Sequence, residues 1–166
     1  DRLIASNPCA GIETPRKKRK DHTYLTVEQL FRLADESGER RTMVLVLGLC
    51  GLRWGEMAGL HVDDVDFVRH RLSVRRSATT VGHGVVVDLP KSGETRRVVF
   101  PGVLDGPLRD QCGGRDGGEP LFPAPDGGYL VRTAQPNDRT KWFWWAKRRA
   151  GVPAGLTYHD LRHTAA

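Results

Sequence analysis

Apolar positions along the chain change their spacing twice, and those changes divide it into elements. Thr26 is followed three residues on by Gln29, a capping-box pattern, and Leu30, Leu33 and Ala34 then recur at helical spacing, which predicts a helix over 26–36. Thr42 to Cys50 is apolar on nearly all sides and reads as a buried helix broken at Gly51. Arg53, Glu56, Met57 and Leu60 fall at i, i+3, i+4 and i+7, the pattern of a second, short helix. The period then drops to two. Leu72 and Val74 alternate with polar neighbours, Val85 to Leu89 is β-branched, and Arg97 to Phe100 is strand-like again, with turns at 82–84 and 92–94. Glycines between 113 and 128 mark a loop-rich stretch, after which a basic and aromatic helix over 140–150 ends before Gly151 and Pro153. Thr157, with Asp160 three positions on, caps a last helix that runs to the end of the chain. The expected fold class is α+β: mainly helical, with a three-stranded antiparallel sheet on one side and Lys91 at the hairpin between its last two strands.

Charge changes this picture at the two ends. The 166 residues carry 26 Lys and Arg against 20 Asp and Glu, a formal +6. Residues 1–20 hold six basic and two acidic side chains, and residues 132–166 hold seven basic and two acidic. Cationic charge gathered at two places points to a polyanionic partner. The run Arg16, Lys17, Lys18, Arg19, Lys20 follows the turn signals Asn7-Pro8, Gly11 and Pro15, so residues 1–20 read as an extended basic linker entering a domain over 21–166. A solvated arm explains such a run as readily as a binding site does. The longest apolar run, Met43 to Leu52, is far below the roughly 18 residues of a membrane span. No secretory signal opens the sequence, and the three cysteines, Cys9, Cys50 and Cys112, have no metal-ligand spacing. The expectation is a cytoplasmic protein with no cofactor, no metal and no membrane partner.

Three clusters could carry chemistry. His159, Arg162 and His163 share one face of the last helix at i, i+3 and i+4. Two imidazoles beside a guanidinium suit a phosphate better than a metal, since arginine offers a forked donor pair and histidine can donate or move a proton near neutrality. An ordinary polar helix start would also explain them. Arg53 sits directly behind a buried helix, where burial is costly unless a partner is present, and Glu56 one turn on can be that partner. A surface ion pair is the plainer reading. Lys91 lies in a turn, where lysine is commonplace.

Taken in order, these pieces resemble the catalytic domain of the tyrosine recombinase, or phage integrase, family. The signature is Gly51-Leu52-Arg53 with Glu56, a hairpin lysine at Lys91, and His159 to Arg162 followed by His163-Thr164. Softer matches are Asn7-Pro8-Cys9, Leu25-Thr26, Asp64-Val65-Asp66 and Arg96-Arg97-Val98-Val99. The resemblance implies that Arg53 and Arg162 clamp the non-bridging oxygens of a DNA phosphodiester, Lys91 acts as general acid, and His159 assists proton transfer at a tyrosine nucleophile. Glu56 would hold Arg53, and His163 would support the site. Arg16, Lys17, Lys18, Arg19 and Lys20, with Arg139, Lys141, Lys147 and Arg148, would follow the DNA backbone. The products would be a 3′-phosphotyrosyl link and a free 5′-hydroxyl, with no metal required. Implied partners are double-stranded DNA attachment sites and, in a full-length protein, copies of itself in a tetramer; the chain alone is expected to be monomeric. Its setting would be bacterial or phage-encoded, acting at the nucleoid.

The family's nucleophilic tyrosine lies tens of residues beyond the second arginine, and Tyr24, Tyr129 and Tyr158 match no such position. The chain is therefore expected to be a catalytic domain lacking its last part, able to hold the phosphate but not to cleave. Tyr158, beside His159, is expected in the core. At least two of Trp142, Trp144 and Trp145 are expected there too, and His22, His61, His70 and His83 take no role. The alternatives are a non-catalytic DNA-binding integrase remnant, a type IB topoisomerase-like domain, and a metal phosphohydrolase built on His159, Asp160 and His163.

Overall fold

Helix α2 (Arg41–Cys50) is the centre of the molecule, with Met43 to Gly48 and Cys50 buried in the interior. Its apolar surface all round obliges other elements to cover it on every side, and burying each large aliphatic side chain contributes about 1.5–3 kcal/mol. Burial also pushes the Cys50 thiol up to about 12, which leaves it unreactive at neutral pH. The computed structural model describes residues 9, 11–12, 23–82, 84–90, 93–132 and 141–165. Within these residues α2 packs on α1 (Val27–Asp35), α3 (Trp54–Ala58), α4 (Asp105–Cys112) and α6 (Tyr158–Thr164), while α5 (Trp142–Ala150) packs on α1. The proposed basic linker falls almost wholly outside the described residues, as do Lys91, His22, His83 and Arg139.

The capping box expected at Thr26 is present. Thr26 Oγ1 accepts from Gln29 N at 3.2 Å, and Gln29 Oε1 accepts from Thr26 N at 2.9 Å. The sheet differs in membership from the sequence pattern. A three-stranded antiparallel sheet is present, in the order β1-β2-β5, built from β1 (Val65–Asp66), β2 (Arg71–Val74) and β5 (Arg96–Val99). The β-branched run forms β4 (Gly84–Asp88), which pairs with β3 (Ser77–Val81) in a separate two-stranded ribbon. The reason is the break at Arg75-Arg76, which turns the chain between β2 and β3. Buried Asp64 holds that break: its Oδ1 lies 2.9 Å from Arg75 Nε, and its Oδ2 lies 3.4 Å from Arg76 Nη2.

Helix α4 has no counterpart in the apolar periodicity. Gly106 and Pro107, residue types that disfavour a helix interior, occupy its first turn, where the backbone N–H groups have no intrahelical acceptor and proline is tolerated. In α5 the expectation for the tryptophans holds for one of them. Trp142 packs against the core beside Phe143 and Tyr158, whereas Trp145 is 49% exposed and Trp144 lies under the Arg148 guanidinium, 4.9 Å from ring centroid to Cζ. No helix among the described residues is long and apolar enough to cross a membrane.

Candidate active site

The chain leaves α2 through Gly51, whose φ of +62° favours glycine. A Cβ there would lie 3.4 Å from Ala165 Cβ and 3.7 Å from the Arg162 carbonyl oxygen, so the end of α2 is pressed against the end of α6. That turn sets Arg53 at the N-cap of α3. Glu56, three residues on, reaches back: its Oε2 accepts from Arg53 N at 2.8 Å, and its Oε1 accepts from Arg53 Nη1 at 2.9 Å. Two glycines seat the helix. A Cβ on Gly55 would lie 2.5 Å from Ser77 Oγ and 3.0 Å from Ala78 O, and one on Gly59 would lie 3.0 Å from Arg76 O. Helix α3 therefore meets β3 backbone to backbone.

Glu56 is 1% exposed, and it gathers more than Arg53. Arg96, on β5, donates from Nη1 to Oε1 at 2.7 Å and from Nη2 to Oε2 at 2.8 Å. Arg162, on α6, brings its Nη1 to 3.8 Å from Oε2, and its side chain is 29% exposed. Burial alone would raise the Glu56 carboxyl, but the hydrogen bonds from Arg96 and Arg53 outweigh it and hold the group at about 2. Burial, reinforced by Arg53 and Arg96, pushes the Arg162 guanidinium below its ordinary value. Three guanidiniums against one carboxylate leave a net excess of two positive charges.

Helix α6 is fixed at its start by a capping box: Thr157 Oγ1 accepts from Asp160 N, and Asp160 Oδ2 accepts from Thr157 N at 2.8 Å and from the Thr157 hydroxyl at 2.7 Å. Asp160 is thereby committed to the helix start. His159 stands exposed two residues after the cap, with its ring 4.7 Å from that of His163 and nearly perpendicular to it. Arg53 and His159 line one cavity of about 350 Å³ between α3, β3 and α6, with Trp54, Ser77, Thr79 and Tyr158 among its walls. Tyr158 is in the core as expected, its ring 4.3 Å from Phe143 and 4.4 Å from Trp54. Among the described residues no group of three or more His, Cys, Asp or Glu side chains is placed to hold a metal. Fixed cationic donors beside a cavity suit an oxyanion, and a phosphoryl group above all.

The structure thus brings Arg53, Glu56, His159, Arg162 and His163 into one region. It corrects the assignment of Lys147. That side chain is 1% exposed and donates to Ala154 O at 2.6 Å and Leu156 O at 3.0 Å, with its Nζ 5.3 Å from the Phe143 ring centroid, so it ties α5 to the following loop and does not reach a DNA backbone. Its spacing carried the warning: Phe143, Ala146, Lys147 and Ala150 are the buried stripe of α5. Lys141 stands at the N-cap position of α5 without a side-chain capping bond, and Arg148 stays exposed at its surface. Arg96 is the member that sequence reasoning missed. It alternates with Val98 on the inward face of β5, and a charge on an inward face signals a buried partner.

The phage integrase family model matches residues 23–166. Over 174 residues the chain is 33% identical to the integrase of Mycobacterium phage L5, a match that covers all of this chain and 46% of that protein. It is 29% identical over 184 residues to the tyrosine recombinase XerD of Pseudomonas aeruginosa, covering all of this chain and 54% of the other. The solved structure of the Tn1549 transposon integrase in complex with circular intermediate DNA superposes with a TM-score of 0.67 at 22% identity, covering 89% of this chain and 54% of that one. The XerA recombinase gives a TM-score of 0.61 at 21% identity, covering 86% and 48%. These structural likenesses establish the fold, and the chain spans about half the length of the relatives it matches.

Proposed function

Because the chain belongs to the phage integrase family, we propose that it is the part of a site-specific DNA recombinase that binds duplex DNA and activates one scissile phosphodiester. The observation that carries this reading is the cluster of Arg53, Arg96 and Arg162 around buried Glu56, beside a cavity that His159 also lines. Arg53 and Arg162 would clamp the two non-bridging oxygens, whose charge grows as the phosphorus becomes five-coordinate. A tyrosine oxygen forms the new bond to phosphorus while the bond to the 5′-oxygen breaks. His159 takes the tyrosine proton, and Lys91 gives one to the departing 5′-oxygen. A 3′-phosphotyrosyl link and a 5′-hydroxyl result, and attack by a 5′-hydroxyl of a partner strand reverses the step. His163 supports His159 from the next turn.

The nucleophile in this reading is not Tyr24, Tyr129 or Tyr158. Tyr158 is packed between Phe143 and Trp54, and Tyr129 is engaged with His61 at 2.8 Å. The tyrosine belongs to the remainder of a full-length protein that assembles as a tetramer on two DNA sites, while the chain alone is an inactive monomer. Residues 1–20, Arg139, Lys141 and Arg148 follow the duplex backbone and make affinity salt-dependent. The test is covalent adduct formation by the full-length protein on a nicked suicide duplex. Arg53→Ala or Arg162→Ala should slow the adduct by about 10²–10³, the cost of one preorganised donor. An Arg162→Ala variant that reacts at the wild-type rate would refute the site. A wild-type protein that binds DNA without forming adduct would instead be a binding module.

A further inference from the structure

The acceptor sites of Glu56 are filled in a way that leaves one arginine unspent. An ionised carboxylate offers about four lone-pair sites. Arg53 takes one on each oxygen, from its backbone N and from Nη1, and Arg96 lies across both oxygens at 2.7 and 2.8 Å. Arg162 reaches the same carboxylate last: its Nη1 is 3.8 Å from Oε2, beyond hydrogen-bonding distance. That nitrogen is buried and makes no hydrogen bond among the described residues. A buried donor without an acceptor is unfavourable, so Nη1 would turn readily to the carboxylate, whereas the exposed part of the Arg162 side chain is what an incoming oxyanion can meet.

We infer that Arg96 is a positioning residue for Arg162: by covering both oxygens of Glu56 it denies Arg162 the carboxylate and keeps its guanidinium, on a side chain that is 29% exposed, available for an anionic oxygen of the ligand. A shift of about 1 Å would close the 3.8 Å separation to an ordinary hydrogen bond, so an uncovered Glu56 would capture Arg162 with little rearrangement. Arg96 thereby serves two ends: it compensates the buried carboxylate, and it prevents an inward ion pair that would switch the site off. The inference rests on the phosphate-site reading above.

The experiment is a titration of the 166-residue chain with inorganic phosphate, followed through the guanidinium resonances of Arg162 and the backbone amides around it. Arg162→Ala and Arg96→Gln should each weaken phosphate binding about tenfold, the size of one charge-assisted hydrogen bond. The double variant Arg96→Gln/Arg162→Ala should bind no more weakly than Arg162→Ala alone, because Arg96 acts through Arg162. Arg96→Lys keeps the charge but cannot bridge both oxygens, and it should fall between wild type and Arg96→Gln. Where Arg96→Gln folds poorly, Arg96→Lys carries the comparison, since it keeps the counter-charge to Glu56 and should still bind phosphate more weakly than wild type. Additive penalties in the double variant, or wild-type binding by Arg96→Lys, would overturn the positioning role and leave only a general charge effect. If Arg162→Ala itself binds phosphate as wild type does, the phosphate-site reading falls, and this role falls with it.

Discussion

Glu56 concentrates the acid sensitivity of the site in one side chain. Its carboxyl is held at about 2 against an ordinary 4.5, so the folded state binds its proton more weakly than the unfolded chain does. The sign follows directly: this contribution is complete above about pH 4.5 and is lost as pH falls toward 2, and a shift of that size is on the order of 3 kcal/mol. In urea titrations Glu56→Gln should be less stable than wild type by about 3–5 kcal/mol at pH 7, because it breaks a buried ion pair. The difference should narrow steadily below pH 4.5, and a difference independent of pH would contradict the assignment. Lys147 gives the opposite kind of test. Its Nζ is spent on Ala154 O and Leu156 O, so Lys147→Ala should lose about 2–4 kcal/mol by the same measurement. Lys147→Met should leave the slope of log Kd against log salt for duplex DNA unchanged, whereas losing a phosphate-contacting cation would take about one from it.

At the scale of elements, α3 is the weak link made rigid by its neighbours. Five residues cannot hold a helix in water, so its stability comes from packing on β3 and α2. Gly55→Ala places a methyl 2.5 Å from Ser77 Oγ, which can rotate away, and 3.0 Å from Ala78 O, which cannot. The helix must lift, and Arg53 at its N-cap lifts with it. We expect a cost of about 1–3 kcal/mol, a lower Tm by about 3–9 °C, and slower adduct formation, while Gly102→Ala, with open space around it, changes neither. The helices with cap or period signals, α1, α2, α3, α5 and α6, were legible in the sequence. The strands were legible as strands but not as partners. Nothing local says that β4 pairs with β3, because that choice is made at the Arg75-Arg76 break by Asp64, which lies earlier in the chain. Helix α4 was hidden because Leu108 is its one buried residue, which leaves no apolar period to read, and because Gly106 and Pro107 stand in its first turn.

At the scale of the whole molecule, the site is assembled from three distant stretches, around residues 53, 96 and 162, which meet because α2 packs on both α3 and α6 and because β5 delivers Arg96 to Glu56. Arg53, Glu56 and Arg162 could be read from the motif they form with their immediate neighbours. Arg96 could not, since its meaning lies in a partner 40 residues away. Lys147 was misassigned for a related reason: basic composition was weighed ahead of the apolar stripe it belongs to. Charge count locates a polyanion-binding protein, but only packing separates cations that face a ligand from cations that hold the fold. The role proposed for Arg162 is to act on a charged non-bridging oxygen of the scissile phosphate. It is tested most directly by the ratio of wild-type to Arg162→Ala adduct rates of the full-length protein, measured once on a normal suicide duplex and once with a neutral methylphosphonate at the scissile position. We predict a ratio of about 10²–10³ on the phosphate that collapses toward one on the methylphosphonate. The same large ratio on both substrates would place Arg162 outside the clamp and contradict the mechanism.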